Sequence, residues 1–173
     1  MSQPSSYNYS FFLRPMSERH AKQICEWKYP PPYDLYNWEH WEAMLAKQYE
    51  FADEAVRKEQ YCAVVDQENT LCGFAQFFPL VGVTRLGLGM HPDYAGKGNG
   101  VPFVRAIVAE ALRRTPAHVI DLEVLVWNDR ARIVYERCGF QITDQYIRGT
   151  PTGEDEFYCM VYMPEKAAKF CKI

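Results

Sequence analysis

The chain has 173 residues, of which 48% are apolar and 24% charged, with a formal net charge of −3. That length suits a single domain with a core of its own, and the slightly acidic balance argues against a broad basic surface for nucleic acid. No apolar run approaches the roughly 18 residues of a membrane-spanning helix, and the opening MSQPSSYNYS lacks the charged and apolar regions of a secretion signal. Residues 1–8 therefore read as a flexible lead-in, and the chain as a cytoplasmic protein that meets no membrane.

In chain order, SFFLRPM (10–16) predicts a first strand, and SERHAKQICEW (17–27) a short helix capped by its serine. In KYPPPYDLYNW (28–38) consecutive prolines forbid a helix and demand an extended, exposed loop. Helical patterning returns over 38–59 through Trp41, Met44, Leu45 and Ala55. Strands are predicted at 60–66, 72–78 and 83–90, with a hairpin turn at Glu68, Asn69 and Thr70 between the first two. Over 100–114 the apolar positions Val101, Val104, Ile107, Val108, Ala111 and Leu112 keep helical spacing, and Pro102 falls in the first turn, where a missing N–H costs little. A strand at 118–127, a helix at 128–138 ended by Gly139, and strands near 140–147 and 156–163 complete the chain. Strand 83–90, the helix after it and strand 118–127 form a βαβ unit, so those two strands should run parallel. The order predicts one α/β domain over 1–173.

The six cysteines, Cys25, Cys62, Cys72, Cys138, Cys159 and Cys171, form no C-x-x-C pair and read as small buried thiols. The four histidines make no metal-ligand spacing with them, so no metal is expected.

DYAGKGNGVPF (93–103) puts Gly96, Gly98 and Gly100 at alternate positions between a strand and a helix start. The first turn of a helix leaves N–H groups without partners and carries partial positive charge, a ready anion site. Glycines there let a diphosphate approach the backbone, and Lys97 can add a charge. Gly87 and Gly89 share one face of the preceding strand, where glycine often marks a close-approaching ligand. A tight connection with no ligand explains the same residues. The loop is neither a Walker loop nor a dinucleotide fingerprint, since the lysine is not followed by Ser or Thr and the G-x-G-x-x-G spacing is absent.

A second stretch, LEVLVWNDRARIVYERCGF (122–140), contains Asn128, Ala131 and Tyr135, then Gly139 and Phe140. Together with MHPDYAGKGNG (90–100), it resembles the GNAT superfamily of N-acetyltransferases, including its bacterial ribosomal-protein and small-molecule branches. There a proline and R/Q-x-x-G-x-G/A precede N-x-x-A-x-x-x-Y-x-x-x-G-F. The resemblance is detailed over 83–140 and implies a mixed, mostly antiparallel sheet with one splayed parallel strand pair. It also implies acetyl-CoA as co-substrate, with an amine acceptor that is a small molecule or a peptide, and it is compatible with a homodimer. Carried over by motif, Leu88, Gly89 and Met90 would pair with the pantetheine arm. Ala95, Gly96, Lys97, Gly98, Asn99 and Gly100 would hold the diphosphate, although Ala95 replaces the usual Arg or Gln and should weaken binding. Asn128 is either a pantetheine contact or a helix cap.

Acetyl transfer from a thioester to an amine needs a neutral nucleophile and a proton for the departing thiolate. Tyr135 shares a helix face with Asn128 and Ala131, and a phenol is protonated at neutral pH. The resemblance gives it the acid role. Glu123 lies on one strand face with Asp121, Leu125 and Trp127, and matches the general-base glutamate of the ribosomal-protein alanine acetyltransferases. A strand carboxylate in a salt bridge is the plainer reading. Relatives bind acceptors in the segment joining the first two helices, here rich in Trp27, Tyr29, Tyr33, Tyr36 and Trp38, with Asp34 placed to attract an ammonium; the same rings equally suit a plain cover over the sheet. Tyr33, Asp34 and Tyr36 are the acceptor candidates, and Glu154, Asp155 and Glu156 of the last hairpin either attract a cation or form a solvated turn. The function expected is direct acetyl transfer to a primary amine. The rivals are a non-catalytic acyl-CoA-binding module and a nucleotide-binding protein using the same loop.

Overall fold

The computed structural model describes residues 9–150 and 153–167; the lead-in and Cys171 lie outside them. Strand β1 (Phe12–Pro15) leads into α1 (Glu18–Glu26), whose start is fixed by a reciprocal cap: Ser17 Oγ accepts from His20 N–H, and His20 Nδ1 accepts from Ser17 N–H. The proline loop contains a short 3-10 turn, Tyr33–Tyr36. The helical stretch foreseen at 38–59 is two helices, α2 (Trp41–Lys47) and α3 (Glu54–Gln60), separated by a 3-10 turn at Glu50–Ala52. Strands β2 (Tyr61–Val65), β3 (Leu71–Leu80) and β4 (Val83–Met90) form a meander. Asp66 organises the first turn, its Oδ1 accepting from the N–H groups of Glu68 and Thr70 at 2.9 Å each. Helix α4 (Gly100–Arg114) crosses to β5 (Val119–Leu125), and α5 (Asp129–Arg137) precedes the long hairpin of β6 (Phe140–Thr150) and β7 (Gly153–Tyr162). A last turn, α6, spans Pro164–Ala167.

The sheet order is β1-β2-β3-β4-β5-β7-β6, antiparallel everywhere except between β4 and β5. The foreseen fold class and parallel pair are therefore present. One face of the sheet packs Leu86, Ile120, Leu122, Val124 and Met160 against Phe103, Val104, Ile107 and Val108 of α4. The other face carries a second core, in which Trp27, Trp41, Met44, Phe51 and Tyr61 gather around Phe74 under α1 and α2. Trp27 and Trp38, at the two ends of the proline loop, face this core and cover the sheet, because large rings bury far more apolar area than a proline loop can leave wet. Cys25, Cys62, Cys72, Cys138 and Cys159 are buried free thiols.

The parallel pairing stops early. β4 and β5 are in register from Val83 with Val119 to Leu86 with Leu122, while β3 accompanies β4 to Met90. Beyond Leu86 the two strands part, so the edge of β4 over 87–90 faces a cleft.

Candidate active site

That cleft encloses about 1100 Å³, and the same depression is lined by Leu88, Gly89 and Met90, by Ala95, Gly96, Gly98 and Gly100, and by Glu123, Asn128 and Tyr135. Tyr33, Asp34 and Tyr36 line it from the proline loop. The fold thus brings together thirteen of the foreseen residues from five separate segments. Two do not arrive. Lys97 is exposed outside the cleft, and Asn99 is buried with its side-chain amide turned onto Tyr94 O at 3.1 Å.

Because Asn99 is occupied, no side chain caps α4. Among the described residues, the backbone N–H groups of 96–101 donate to no protein acceptor. Gly96 and Gly98 hold φ of +74° and +82°, which a side-chain-bearing residue adopts only with strain. This is a cradle of unpartnered donors at a positive helix end, and it fits a diphosphate. Arg130, from the first turn of α5, reaches within 3.9 Å of where a Gly96 Cβ would stand. Its guanidinium lies 3.9 Å from the Tyr33 ring centroid, a cation–π contact that holds it there. Arg130 thus places a positive charge beside the cradle, where Ala95 and the outward Lys97 place none. Its position two residues after Asn128 was visible in the sequence; its direction was not.

The remaining glycines have a different cause from the one foreseen. A Cβ on Gly89 would lie 2.4 Å from Phe74 Cε1, one on Gly87 3.0 Å from Gln76 Oε1, and one on Gly100 2.8 Å from Val134 Cγ2. They are absent side chains that admit neighbouring protein, with the cleft shaped as a result. Gly100→Ala should accordingly lower stability by about 1–3 kcal/mol in urea unfolding, since Val134 is branched at Cβ and has no alternative direction. Adding Val134→Ala to that chain should recover part of the loss; an additive double mutant would show that the close approach is not the cause.

Asn128 is a helix cap. Its Oδ1 accepts from Ala131 N–H at 3.2 Å, and its Nδ2 donates to Tyr36 Oη at 3.1 Å. Tyr135 lies about two turns further along α5, edge-on to Phe140. Among the described residues its hydroxyl has no hydrogen-bond partner, and it opens on the cleft. Burial, then the nearby Tyr36, push its pKa above the ordinary tyrosine value, so the phenol keeps its proton.

Glu123 is the centre of a network: the salt-bridged carboxylate allowed by the sequence is present, but its partners were not foreseen. Arg85 of β4 reaches it with Nη1 at 3.1 Å from Oε1, Arg148 of β6 with Nη2 at 3.1 Å from Oε2, and the Tyr146 hydroxyl donates to Oε1. Arg85 also grips Asp121 bidentately, at 3.0 and 2.7 Å, and those hydrogen bonds hold it firmly protonated. The Glu123 carboxylate is thus held in place, with three of its roughly four acceptor positions taken. Tyr29 was also missed as a contact: its hydroxyl donates to Met90 O at 2.8 Å and ties the proline loop to the open strand. Asp155 and Glu156 are engaged on the hairpin by Thr150 and Gln145, and neither lines the cleft.

Comparison with known proteins agrees with this architecture. A spermidine N-acetyltransferase from Vibrio cholerae, solved in complex with CoA and spermine, superposes with a TM-score of 0.70 at 15% identity, covering 92% of this chain and 98% of that one. A chimera of the Vibrio cholerae enzyme with hSSAT gives 0.70 at 15% identity over 95% and 99% of the two chains. A GNAT-family acetyltransferase from Bacillus anthracis gives 0.57 at 18% identity over 66% and 72%. At such identities the likeness establishes the fold. The sequence model of the Acetyltransferase (GNAT) family matches residues 21–140, more than half of the chain. The chain therefore belongs to the GNAT acetyltransferase family, whose co-substrate is acetyl-CoA.

Proposed function

We propose that this protein transfers the acetyl group of acetyl-CoA to a primary amine by direct attack, without an acyl-enzyme. The observation that carries the reading is the continuity of the open β4 edge at 87–90 with the unpartnered N–H cradle at 96–101, both in the cleft that holds the Tyr135 hydroxyl. A peptide-like pantetheine arm pairs with an open strand edge as an added strand does, and a diphosphate suits the cradle. Acetyl-CoA supplies the thioester carbonyl and a thiolate leaving group. Tyr135 donates the proton that the thiolate takes up, and Glu123 receives the proton shed by the amine, directly or through water. Cys138 is no rival nucleophile, because its sulfur lies against Val101 O and burial raises its pKa to about 11.

Thermal unfolding with added ligands tests the coenzyme site. Acetyl-CoA or CoA at 100 times its dissociation constant should stabilise by about 2.7 kcal/mol, raising the midpoint by roughly 5–10 °C, whereas ATP should do little. In Arg130→Ala the affinity for CoA should fall by about 10-fold or more, as for a lost charge-assisted contact. No shift with either coenzyme at millimolar concentration would reduce the loop to a turn, and an equal shift with ATP would favour a nucleotide site.

A further inference from the structure

The acceptor half of the cleft has an unusual charge pattern for an enzyme of amines. Its sheet wall shows two arginines, Arg85 and Arg148, and one carboxylate, Glu123. Across from it, Glu39 is paired with Lys47 at 2.7 Å, and Asp34 is exposed at the rim. Among the described residues, a polycation entering here meets two guanidinium groups around the one carboxylate that lines the sheet wall. The four charges Asp121, Arg85, Glu123 and Arg148 form a chain of ion pairs alternating in sign across β5, β4 and β6, and the series ends at the cleft with Arg148.

Resting on the acetyl-transfer reading, we propose that the acceptor is a zwitterionic amine, an α-amino acid or a close analogue, with its ammonium on Glu123 and its carboxylate on Arg148. The one acceptor position left on Glu123 belongs to Oε2, on the same oxygen that Arg148 touches. An ammonium arriving there lies directly beside the guanidinium. In an α-amino acid the carboxylate is bonded to the carbon that bears the nitrogen, so it falls on Arg148 and continues the alternation of charge. Two features suit Arg148 to hold a carboxylate. Its side chain is 49% exposed, and its guanidinium stacks 4.2 Å from the Phe157 ring centroid, leaving the planar fork oriented. Tyr33, Tyr36, Phe78 and Phe157 leave an apolar surround for the acceptor's side chain.

The test measures CoA release at saturating acetyl-CoA with the common amino acids, phenethylamine as the decarboxylated partner of phenylalanine, and spermidine. The wild type should prefer the best amino acid over its decarboxylated amine by about 10- to 100-fold in kcat/KM, as a bidentate charged contact provides. In Arg148→Ala and Arg148→Gln that ratio should collapse toward one, chiefly through KM for the amino acid, while CoA still binds. Spermidine or phenethylamine outpacing every amino acid would overturn the zwitterion and leave acetyl transfer standing. An Arg148→Ala protein that keeps the full ratio would overturn it too. A wild type that neither binds CoA nor acetylates any amine would remove both readings.

Discussion

Tyr135→Phe should lower kcat by about 10²–10⁴-fold with CoA affinity within a fewfold of wild type. The change removes one oxygen from a ring whose packing against Phe140 stays intact, and that oxygen takes part in no protein hydrogen bond among the described residues. Stability is therefore expected to hold, and the loss isolates the proton. The direction of the Tyr135 pKa sets a companion expectation for the wild type. Only the neutral amine attacks, so the rate should climb with pH as the acceptor deprotonates. Because the phenol is held above its ordinary pKa near 10, no descending limb should appear below about pH 10. An undiminished rate in Tyr135→Phe, or a fall in wild-type rate beginning near pH 8, would mean that another group protonates the thiolate.

Glu123→Gln should cost at least about 10²-fold in kcat/KM, together with a measurable loss of stability. A glutamine retains one acceptor oxygen but turns an N–H₂ group toward either Arg148 or the Arg85–Tyr146 side, where the existing partners are all donors. Arg85 keeps Asp121, whereas Arg148, half exposed, loses its carboxylate to water at modest cost. Activity must be normalised to folded, CoA-binding protein for this reason. A folded variant with wild-type kcat/KM would return Glu123 to a purely structural ion pair, with water taking the amine's proton. A variant inactive only toward carboxylated amines would instead assign it to orientation.

The helix at 100–114 and the strand at 83–90 coincide with their sequence patterns because both are decided by local periodicity. The stretch at 38–59 is different. Gln48 and Glu50 both take positive φ, 49° and 50°, and no local signal marks a glutamine or a glutamate for that conformation. Burial of Phe51 beneath Trp38 and Tyr61 decides it, and that is a contact between distant segments. The site divides in the same way. Asn128, Tyr135 and Glu123 are singled out by the family resemblance, with the shared helix face and the strand alternation alongside it, and all three line the cleft. Arg148 and Tyr146 reach Glu123 across β7, a register that depends on the whole hairpin. Arg85 left a trace: it shares a face with Gly87 and Gly89, and parallel pairing puts it beside Asp121 and Glu123. The glycines at 87, 89 and 100 misled because a missing side chain looks the same in sequence whether a ligand or a phenylalanine fills the space.

The parting of β4 and β5 has a consequence for the protein as a material. A sheet normally keeps its unsatisfied edges at its borders, where charges and prolines guard them against pairing with other chains. Here a stretch at 87–90 lies open in the middle of the sheet, where among the described residues the Tyr29 hydroxyl engages the Met90 carbonyl. On the acetyl-transfer reading proposed above, the pantetheine arm of acetyl-CoA would lie there as an eighth strand. Unless a ligand fills it, that central edge is open to the same pairing with other chains that border strands are guarded against.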